Sequence, residues 1–326
     1  MKANFYNPPF TISPEILTLV ADISLSLGKL TVLQKGEKAL RLRRINRIKT
    51  IQASLAIEGN PLNEEQVTAI LDGKPVIAAA KDIQEVQGAL KAYEKLDSLK
   101  PASINDLLKA HKLLTGGLLK TSGAFRSGGV GVMKGKDVIH IAPPARQVPF
   151  LIKDLLGWLD NTENHPLISS SVFHYEFEFI HPFEDGNGRM GRLWQTLILS
   201  RWNPLLAYLP IETLIHDHQQ EYYNAINQSS QNADSGAFIT FILQMLLKTI
   251  QQNLKLSEKT SEKTSEKIIR LIAENNSITI AELAGIIGVS SRSIERNLKS
   301  LQNDRRIERI GPAKGGKWQV LGGGYE

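Results

Sequence analysis

The chain has 326 residues, a formal net charge of +6 and no cysteine. Disulfides, cysteine-ligated zinc and thiol catalysis are therefore excluded, and the length suffices for one sizeable core with a smaller appended domain. The first residues, MKANFYNPPF, lack an apolar signal core, and no apolar run reaches the roughly 18 residues of a membrane span. We expect a cytoplasmic protein that makes no membrane contact.

Helical patterns dominate the first third of the chain, from Pro14 to Gly117, and glycines and prolines interrupt them only briefly. The helical pattern then gives way to two short runs rich in β-branched residues, VGVM and VIHIA, on either side of a polar turn at 134–137. This pattern predicts a β-hairpin. Further helices are predicted over 148–159, 168–180, 188–202, 212–227 and 238–256. The fold class is therefore mainly α.

A polar repeat separates this body from the C-terminal part of the chain. SEKT occurs at 257–260 and 261–264, and SEK follows at 265–267. Such a repeat has too little apolar surface for a core of its own, so it predicts a linker, although it could also extend the helix before it. Three helical stretches and two short strands follow, an order that resembles a winged helix-turn-helix module.

The most informative segment is HPFEDGNGRMGR at 181–192. His181 is the side-chain type best suited to take a proton near neutral pH. Asp185 offers a hard oxygen ligand to a metal such as Mg²⁺. The glycines that follow leave backbone N–H groups open at a predicted helix N-terminus, where an anion is favoured.

Two arginines, Arg189 and Arg192, lie three residues apart in the same segment. That spacing places both on one face of the helix, where they can grip a polyphosphate. A base, a metal ligand, an anion-binding loop and an arginine clamp are together typical of phosphoryl or nucleotidyl transfer.

The segment resembles the Fic signature, HPFx(D/E)GNGRxxR, at all nine specified positions, and the resemblance covers roughly residues 1–250. It extends to the predicted hairpin and to the segment GAFR at 123–126, which precedes the hairpin. It implies a Fic-type helical core with a hairpin flap, and an enzyme that transfers AMP from ATP to Ser, Thr or Tyr hydroxyls of target proteins with Mg²⁺ or Mn²⁺. A homodimer and self-modification are possible extensions.

The resemblance also implies a role for each residue. His181 would deprotonate the target hydroxyl, Asp185 would hold the metal, and Phe183 would anchor the loop in the core. The other implied roles are phosphate binding by Gly186, Asn187, Gly188, Arg189 and Arg192, target docking by the flap residues Val138, Ile139, His140 and Ile141, and an adenine site at Tyr222 and Tyr223, for which core packing is an equally simple explanation.

An inhibitory element is implied further upstream. The segment from Ser54 to Asn60 resembles the motif (S/T)xxxE(G/N), whose glutamate, here Glu58, pairs with the second arginine of the signature, here Arg192. A carboxylate at that place would displace the terminal phosphate of ATP. The alternative is an exposed helix carboxylate before a glycine C-cap, and removal of AMP with the help of the same glutamate stays open.

Four segments follow from these patterns. They are an N-terminal helical region with the inhibitory motif at 1–110, a Fic catalytic core at 111–254, a linker at 255–266 and a winged helix domain at 267–326. Residues 255–326 contain 13 Lys and Arg against 9 Asp and Glu. DNA contact through the predicted reading helix is one hypothesis, with protein interaction as the other; the candidate side chains are Arg292, Ser293, Arg296 and Lys299.

Two rival functions remain at this point. The chain could be a DNA-binding transcription regulator whose core senses nucleotide, or it could transfer a phosphate-containing group other than AMP. The presence of His181, Asp185 and Arg192 favours an enzyme over a sensor, and a GNGR loop with a second arginine favours ATP as the donor.

Overall fold

The computed structural model describes residues 6–33, 37–129, 131–134, 137–312 and 316–321, and for 33, 37–41, 131–134, 137–141 and 257–263 it describes the backbone alone. The chain forms two compact units that divide between Gln251 and Gln252. Both are mainly helical, as predicted. In the described part of the chain, no helix combines the length and the apolarity that a bilayer span requires.

The first unit is a bundle of helices. In chain order its helices are α1 (Pro14–Leu33), α2 (Glu37–Ile57), α3 (Glu64–Leu71), α4 (Ala80–Glu94), α5 (Ile104–Thr115), α6 (Val148–Asn161), α7 (Pro166–Ile180), α8 (Asn187–Trp202), α9 (Ile211–Asp217), α10 (Gln219–Asn232) and the first part of α11 (Gly236–Glu274).

Helices α7 and α8 form the centre of this bundle. Both are buried on almost every side over most of their length. A helix buried all round belongs in the interior of a large bundle rather than at its surface. The connection between them, residues 181–186, therefore joins two deeply buried helices of the unit.

The predicted hairpin is confirmed. Strands β1 (Gly131–Lys134) and β2 (Asp137–Ile141) pair antiparallel, with Gly131 opposite Ile141 and an irregularity between Val132 and Met133. The side chains of the flap residues Val138, Ile139, His140 and Ile141 lie outside the described residues.

Two predictions of element length differ from the structure. The single helix predicted over 212–227 is two helices, α9 and α10, which meet at the non-helical His218 (φ −115°, ψ 34°); no glycine or proline marks this break. Helix α11 continues through the SEKT repeat to Glu274. Because the repeat at 257–267 contains neither glycine nor proline, nothing in the repeat stops the helix.

The second unit has the predicted order of helices followed by a two-stranded wing. It contains the last part of α11, α12 (Ile280–Ile287), α13 (Ser291–Asn303) and the antiparallel strands β3 (Ile307–Ile310) and β4 (Lys317–Val320). Thr279 and Glu282 form a capping box at the start of α12, and Gly288 ends that helix with φ 74°. Its core consists of buried aliphatic residues and Trp318.

Candidate active site

His181 has a left-handed backbone (φ 50°, ψ 61°) directly after α7. Its N–H donates to the carbonyl of Phe177 at 2.9 Å, and its own carbonyl accepts from Arg126 Nε at 2.7 Å. A residue other than glycine with a left-handed backbone costs on the order of 1–3 kcal/mol, and such residues cluster at functional sites. The surrounding contacts therefore fix the backbone from which the imidazole projects.

Arg126 holds the histidine loop and the base of the hairpin together. Its backbone N–H donates to the carbonyl of Pro182 at 3.0 Å. Its guanidinium donates to the carbonyl of Gly128 at 2.9 Å, before β1, and to that of Pro143 at 2.5 Å, after β2. The position of the flap relative to His181 thus depends on one buried side chain.

The loop after His181 is closed by Asn187 and Phe183. The Asn187 amide accepts from the Phe183 N–H at 2.8 Å and donates to the Phe183 carbonyl at 2.9 Å. The Phe183 ring is fully buried, so the expectation that it anchors the loop is confirmed. The expectation for Asn187 changes: its side chain is used by the loop, and only its backbone N–H can face a phosphate.

His111 of α5 packs against the loop through Phe183 and Asp185, and sequence reasoning missed it. Its ring stacks on Phe183 with 3.7 Å between the centroids. Nδ1 accepts from the Gly123 N–H at 2.9 Å, so Nε2 carries the proton that is donated to the carbonyl of Asp185 at 3.0 Å. Burial lowers the pKa of His111, which agrees with a neutral ring.

The N-terminus of α8 offers a site for an anion. Gly186 stands at its N-cap with φ 87°, and no side chain in the described structure caps this end of the helix. The first N–H groups of a helix have no intrahelical acceptor, and the helix dipole favours negative charge there. A Cβ at Gly186 would lie 3.1 Å from Thr115 Cγ2, so a larger residue would crowd the turn.

Asp185 projects from the same turn, with 54% of its side chain exposed. Its Oδ1 accepts from the Gly186 N–H at 2.6 Å and from Arg189 at 3.1 Å. Among the described residues no group of three or more His, Cys, Asp or Glu could hold a metal ion. A single exposed carboxylate suits Mg²⁺, which usually takes one or two carboxylates together with substrate phosphates. Asp185 therefore fits a metal that arrives with a nucleotide.

Arg192 is held by the end of α2. Its Nε donates to Ser54 Oγ at 3.0 Å, and one terminal nitrogen donates to the Ser54 carbonyl at 2.8 Å and to Glu58 Oε1 at 2.7 Å. Burial is the largest single effect and acts to lower the pKa of Arg192, but the charge and hydrogen bond of Glu58, together with Tyr222 and Glu178, outweigh it, and the pKa lies above its usual value. A buried, fully charged arginine is thus paired with one carboxylate.

Glu58 also lies directly over the anion site. Its Oε1 occupies the space that a Cβ on Gly188 would need, and Arg192 lies 3.1 Å from the same point. The carboxylate therefore stands beside the first turn of α8. Gly188 is needed for this close approach.

The family follows from comparison with known proteins. A family model described as "Fic/DOC family" matches residues 101–199, and one described as "Winged helix-turn-helix DNA-binding" matches residues 261–308. The crystal structure of a Fic family protein from Desulfovibrio desulfuricans G20 is 44% identical, with a TM-score of 0.76, and the match covers 98% of this chain and 100% of that one. The chain belongs to the Fic family. Its C-terminal unit is a winged helix-turn-helix module.

Curated relatives of this Fic protein are named protein adenylyltransferases. The one from Culex quinquefasciatus is 28% identical over 62% of this chain and 41% of its own length. The one from Nematostella vectensis is 28% identical over 61% of this chain and 47% of its own length. The chain thus spans less than half the length of these relatives.

The two tyrosines expected at an adenine site have different surroundings in this Fic protein. Tyr222 is 2% exposed, and its hydroxyl lies 3.2 Å from His174 Nε2. It is a core residue with no face for a base to stack on. Tyr223 is half-buried, and Glu58 and Arg192 both influence its pKa, which burial raises. Only Tyr223 stays a candidate for adenine contact.

A second, mostly buried carboxylate, Glu178, is influenced by the charge of Arg192, and sequence reasoning missed it too. Glu178 Oε1 is 3.8 Å from His174 Nε2. Burial raises the pKa of Glu178 to about 8; the charge of Arg192 lowers this pKa, and the charge of Glu58 raises it further. Burial lowers the pKa of His174 to about 3. A neutral His174 can donate from Nδ1 to Gln195 at 2.8 Å and accept from Tyr222 at Nε2.

In the winged helix module, α13 separates an apolar from a polar face. Ile294, Leu298 and Leu301 are buried, and Ser293 is half-buried with its carbonyl accepting from Asn297. Three of the four candidates for DNA contact are exposed, namely Arg292, Arg296 and Lys299.

Proposed function

We propose that this Fic protein transfers AMP from ATP to a hydroxyl of a Ser, Thr or Tyr side chain on a target protein. The observation that carries the proposal is the segment 181–192, which brings together a histidine on a left-handed backbone, a helix N-terminus without a side-chain cap and two arginines. The names of the curated relatives support the same reaction.

His181 takes the proton of the acceptor hydroxyl as its oxygen attacks the α-phosphorus of ATP. A bond forms between that oxygen and the phosphorus, and the bond from the phosphorus to the bridging oxygen of the β-phosphate breaks. Pyrophosphate leaves. The N–H groups of the first turn of α8, together with Arg189 and Arg192, bind the phosphate oxygens and stabilise the charge on them.

Asp185 would hold a divalent ion, Mg²⁺ or Mn²⁺, together with the phosphates. Such an ion, when bound, neutralises phosphate charge and orients the leaving group. The flap strand β2 would dock the target segment through main-chain pairing. Tyr223 would border the adenine.

The reaction is restrained by Glu58. The Glu58 carboxylate pairs with Arg192 at 2.7 Å and stands where a phosphate would have to lie. A second negative charge in that space is unfavourable, so ATP binds in a pose that does not react until Glu58 moves. Removal of AMP by a water that Glu58 orients stays a prediction of the sequence, as do self-modification, a homodimer and a cytoplasmic location.

The test compares two labels on ATP. The Glu58→Gly protein is incubated with α-labelled or γ-labelled ATP, Mg²⁺ and a cell lysate, and label on protein is measured. Transfer of AMP places only the α-label on protein. Transfer of the γ-label would identify a kinase-like reaction, and label on no protein would contradict the proposal.

A second function, DNA binding, is favoured by the match of residues 261–308 to a DNA-binding winged helix. The face of α13 that carries Arg292 and Lys299 would enter a groove. Binding of the full chain to duplex DNA should weaken steeply with salt, and Arg292→Glu should abolish it. Glu282→Gln, on α12, serves as the control. Salt-independent binding, or equal binding by Arg292→Glu, would argue for a protein-interaction module instead.

A further inference from the structure

The first arginine of the signature is also held by a carboxylate from the N-terminal helices. Glu85 of α4 places Oε1 3.4 Å from Arg189. Both residues are buried, with 8% and 5% of their surface exposed. A buried charge needs a partner, and the other carboxylate near Arg189, Asp185, is the one expected to turn to a metal. Glu85 therefore remains as the lasting partner of Arg189.

Asn60 fixes the direction of the Glu85 carboxylate. Its Nδ2 donates to Glu85 Oε2 at 2.8 Å and to the carbonyl of Asp82 at 3.2 Å. Its Oδ1 accepts from the Leu62 N–H at 3.1 Å. Because both amide hydrogens and the oxygen are engaged, the side chain cannot rotate without losing contacts. One oxygen of Glu85 is thus turned to Asn60, and the other lies 3.4 Å from Arg189 and 4.0 Å from Lys81 Nζ.

Asn60 belongs to the same turn as Glu58. The backbone N–H groups of both residues donate to the carbonyl of Leu55, at 3.1 Å for Asn60 and at 3.0 Å for Glu58. If the ion pair between Glu85 and Arg189 only joined α4 to α8, it would need no hydrogen bond to this turn. Instead, Glu58 contacts Arg192 directly, and Asn60, two positions later, reaches Arg189 through Glu85.

We propose that Glu85 is a positioning residue for Arg189 and that Asn60 couples Glu85 to the turn that carries Glu58. This inference rests on the proposed function. The turn has two opposite effects on the triphosphate site: Glu58 blocks Arg192, while Asn60, through Glu85, aligns Arg189 for the phosphates. Release of the inhibitory carboxylate must therefore leave Asn60 in place for the enzyme to reach full activity.

The experiment uses Glu58→Ala as the parent, because alanine removes the carboxylate without adding a second glycine beside Gly59. In that background Asn60→Asp replaces the donor amide with a carboxylate that repels Glu85. We expect the KM for ATP to rise about tenfold, which corresponds to about 1.4 kcal/mol, while kcat changes by less than about twofold. Direct binding of Mg-ATP, measured by calorimetry, should weaken by the same factor.

Two controls separate positioning from loss of structure. Asn63→Ala removes an N-cap in the same connection, where Asn63 Oδ1 accepts from the Gln66 N–H at 2.9 Å; it should lower the melting temperature and leave the KM unchanged. Adding Asn60→Asp to a protein that already carries Arg189→Ala should not weaken ATP binding further.

The inference is overturned if Asn60→Asp lowers only the melting temperature, or if its effect on ATP binding persists without Arg189. Lack of AMP transfer by Glu58→Ala itself would instead contradict the proposed function. Calorimetry with Mg-ATP still tests the coupling in that case, so the two failures can be told apart.

Discussion

The loop at 181–192 and the turn at 54–60 meet at one site but are built in different ways. The loop is closed by its own residues, with Asn187 on Phe183 four positions away, and is supported by Arg126 and His111. The turn contacts Arg192 across 134 to 138 residues of sequence, from Glu58 and Ser54. The candidate catalytic residues therefore lie in one short segment, whereas the carboxylate that restrains them comes from a distant one.

The largest expected effect is the loss of the base. His181→Ala in the Glu58→Gly background should lower AMP transfer by about 10²–10⁴, because only His181 can take the hydroxyl proton in this account. The melting temperature should change little. Transfer of α-label to protein is the measurement, and His216→Ala, which removes an exposed histidine, is the control. Equal turnover with and without His181 would refute its role as the base.

The next effect is activation. Glu58→Gly should raise AMP transfer at least about tenfold, since removing the carboxylate frees Arg192 and the space beside Gly188 for a phosphate. Glu64→Gln, an exposed carboxylate at the start of α3, should leave the rate unchanged. Rates that agree between the Glu58→Gly protein and the natural sequence would show that the contact between turn and loop is structural only.

A smaller activation is expected at Ser54. Ser54→Ala removes the hydroxyl that accepts from Arg192 Nε at 3.0 Å but leaves the backbone carbonyl contact. Arg192 is then held less firmly in its inhibited position, and AMP transfer should rise about threefold. The rate is compared with that of Glu58→Gly/Ser54→Ala, in which the second change should add nothing. Additive effects would mean that Ser54 and Glu58 act separately.

Substitution of Glu178 is expected to change turnover least. Its role is tested instead by how the free energy of unfolding depends on pH. Its pKa of about 8 in the folded protein exceeds the ordinary value near 4.3 of an unfolded chain. The folded state therefore binds the proton more tightly, and this contribution to stability is lost as the pH rises from about 4 to about 8. Glu178→Gln is neutral at every pH, so its advantage over the natural sequence should grow across that window by at most about 1.4 kcal/mol per pH unit.

Urea unfolding at pH 5, 6.5 and 8 measures this difference in the free energy of unfolding. Because Glu58 is one cause of the raised pKa, the window should end at a lower pH in the Glu58→Gly background, and the total change between pH 5 and pH 8 should be smaller. A difference that is constant with pH would show that Glu178 is already ionised in the folded protein.

Much of the fold could be predicted from the sequence, because apolar periodicity, the hairpin turn and the caps are local signals. The limits of α11 could not, since the SEKT repeat is too polar for a core and yet contains nothing that stops a helix. The predicted segment boundaries at 110, 254 and 266 stay predictions.

The residues of the site divide in the same way. Those of the contiguous signature could be named from sequence, as could Glu58, because their spacing is a local pattern. His111, Arg126, Glu85 and Glu178 could not be assigned roles, because their partners lie far away in the chain and become neighbours only when α4, α5, α7 and α8 pack together. Tyr222 could not be separated from Tyr223, since burial distinguishes them and spacing does not.

The central claim is tested most directly by a crystal structure of Glu58→Gly with Mg²⁺ and a non-hydrolysable ATP analogue. We expect the triphosphate at the N-terminus of α8, with Arg189 and Arg192 on its oxygens and His181 facing the α-phosphorus. A nucleotide bound elsewhere, or an imidazole out of reach of the α-phosphorus, would contradict the account.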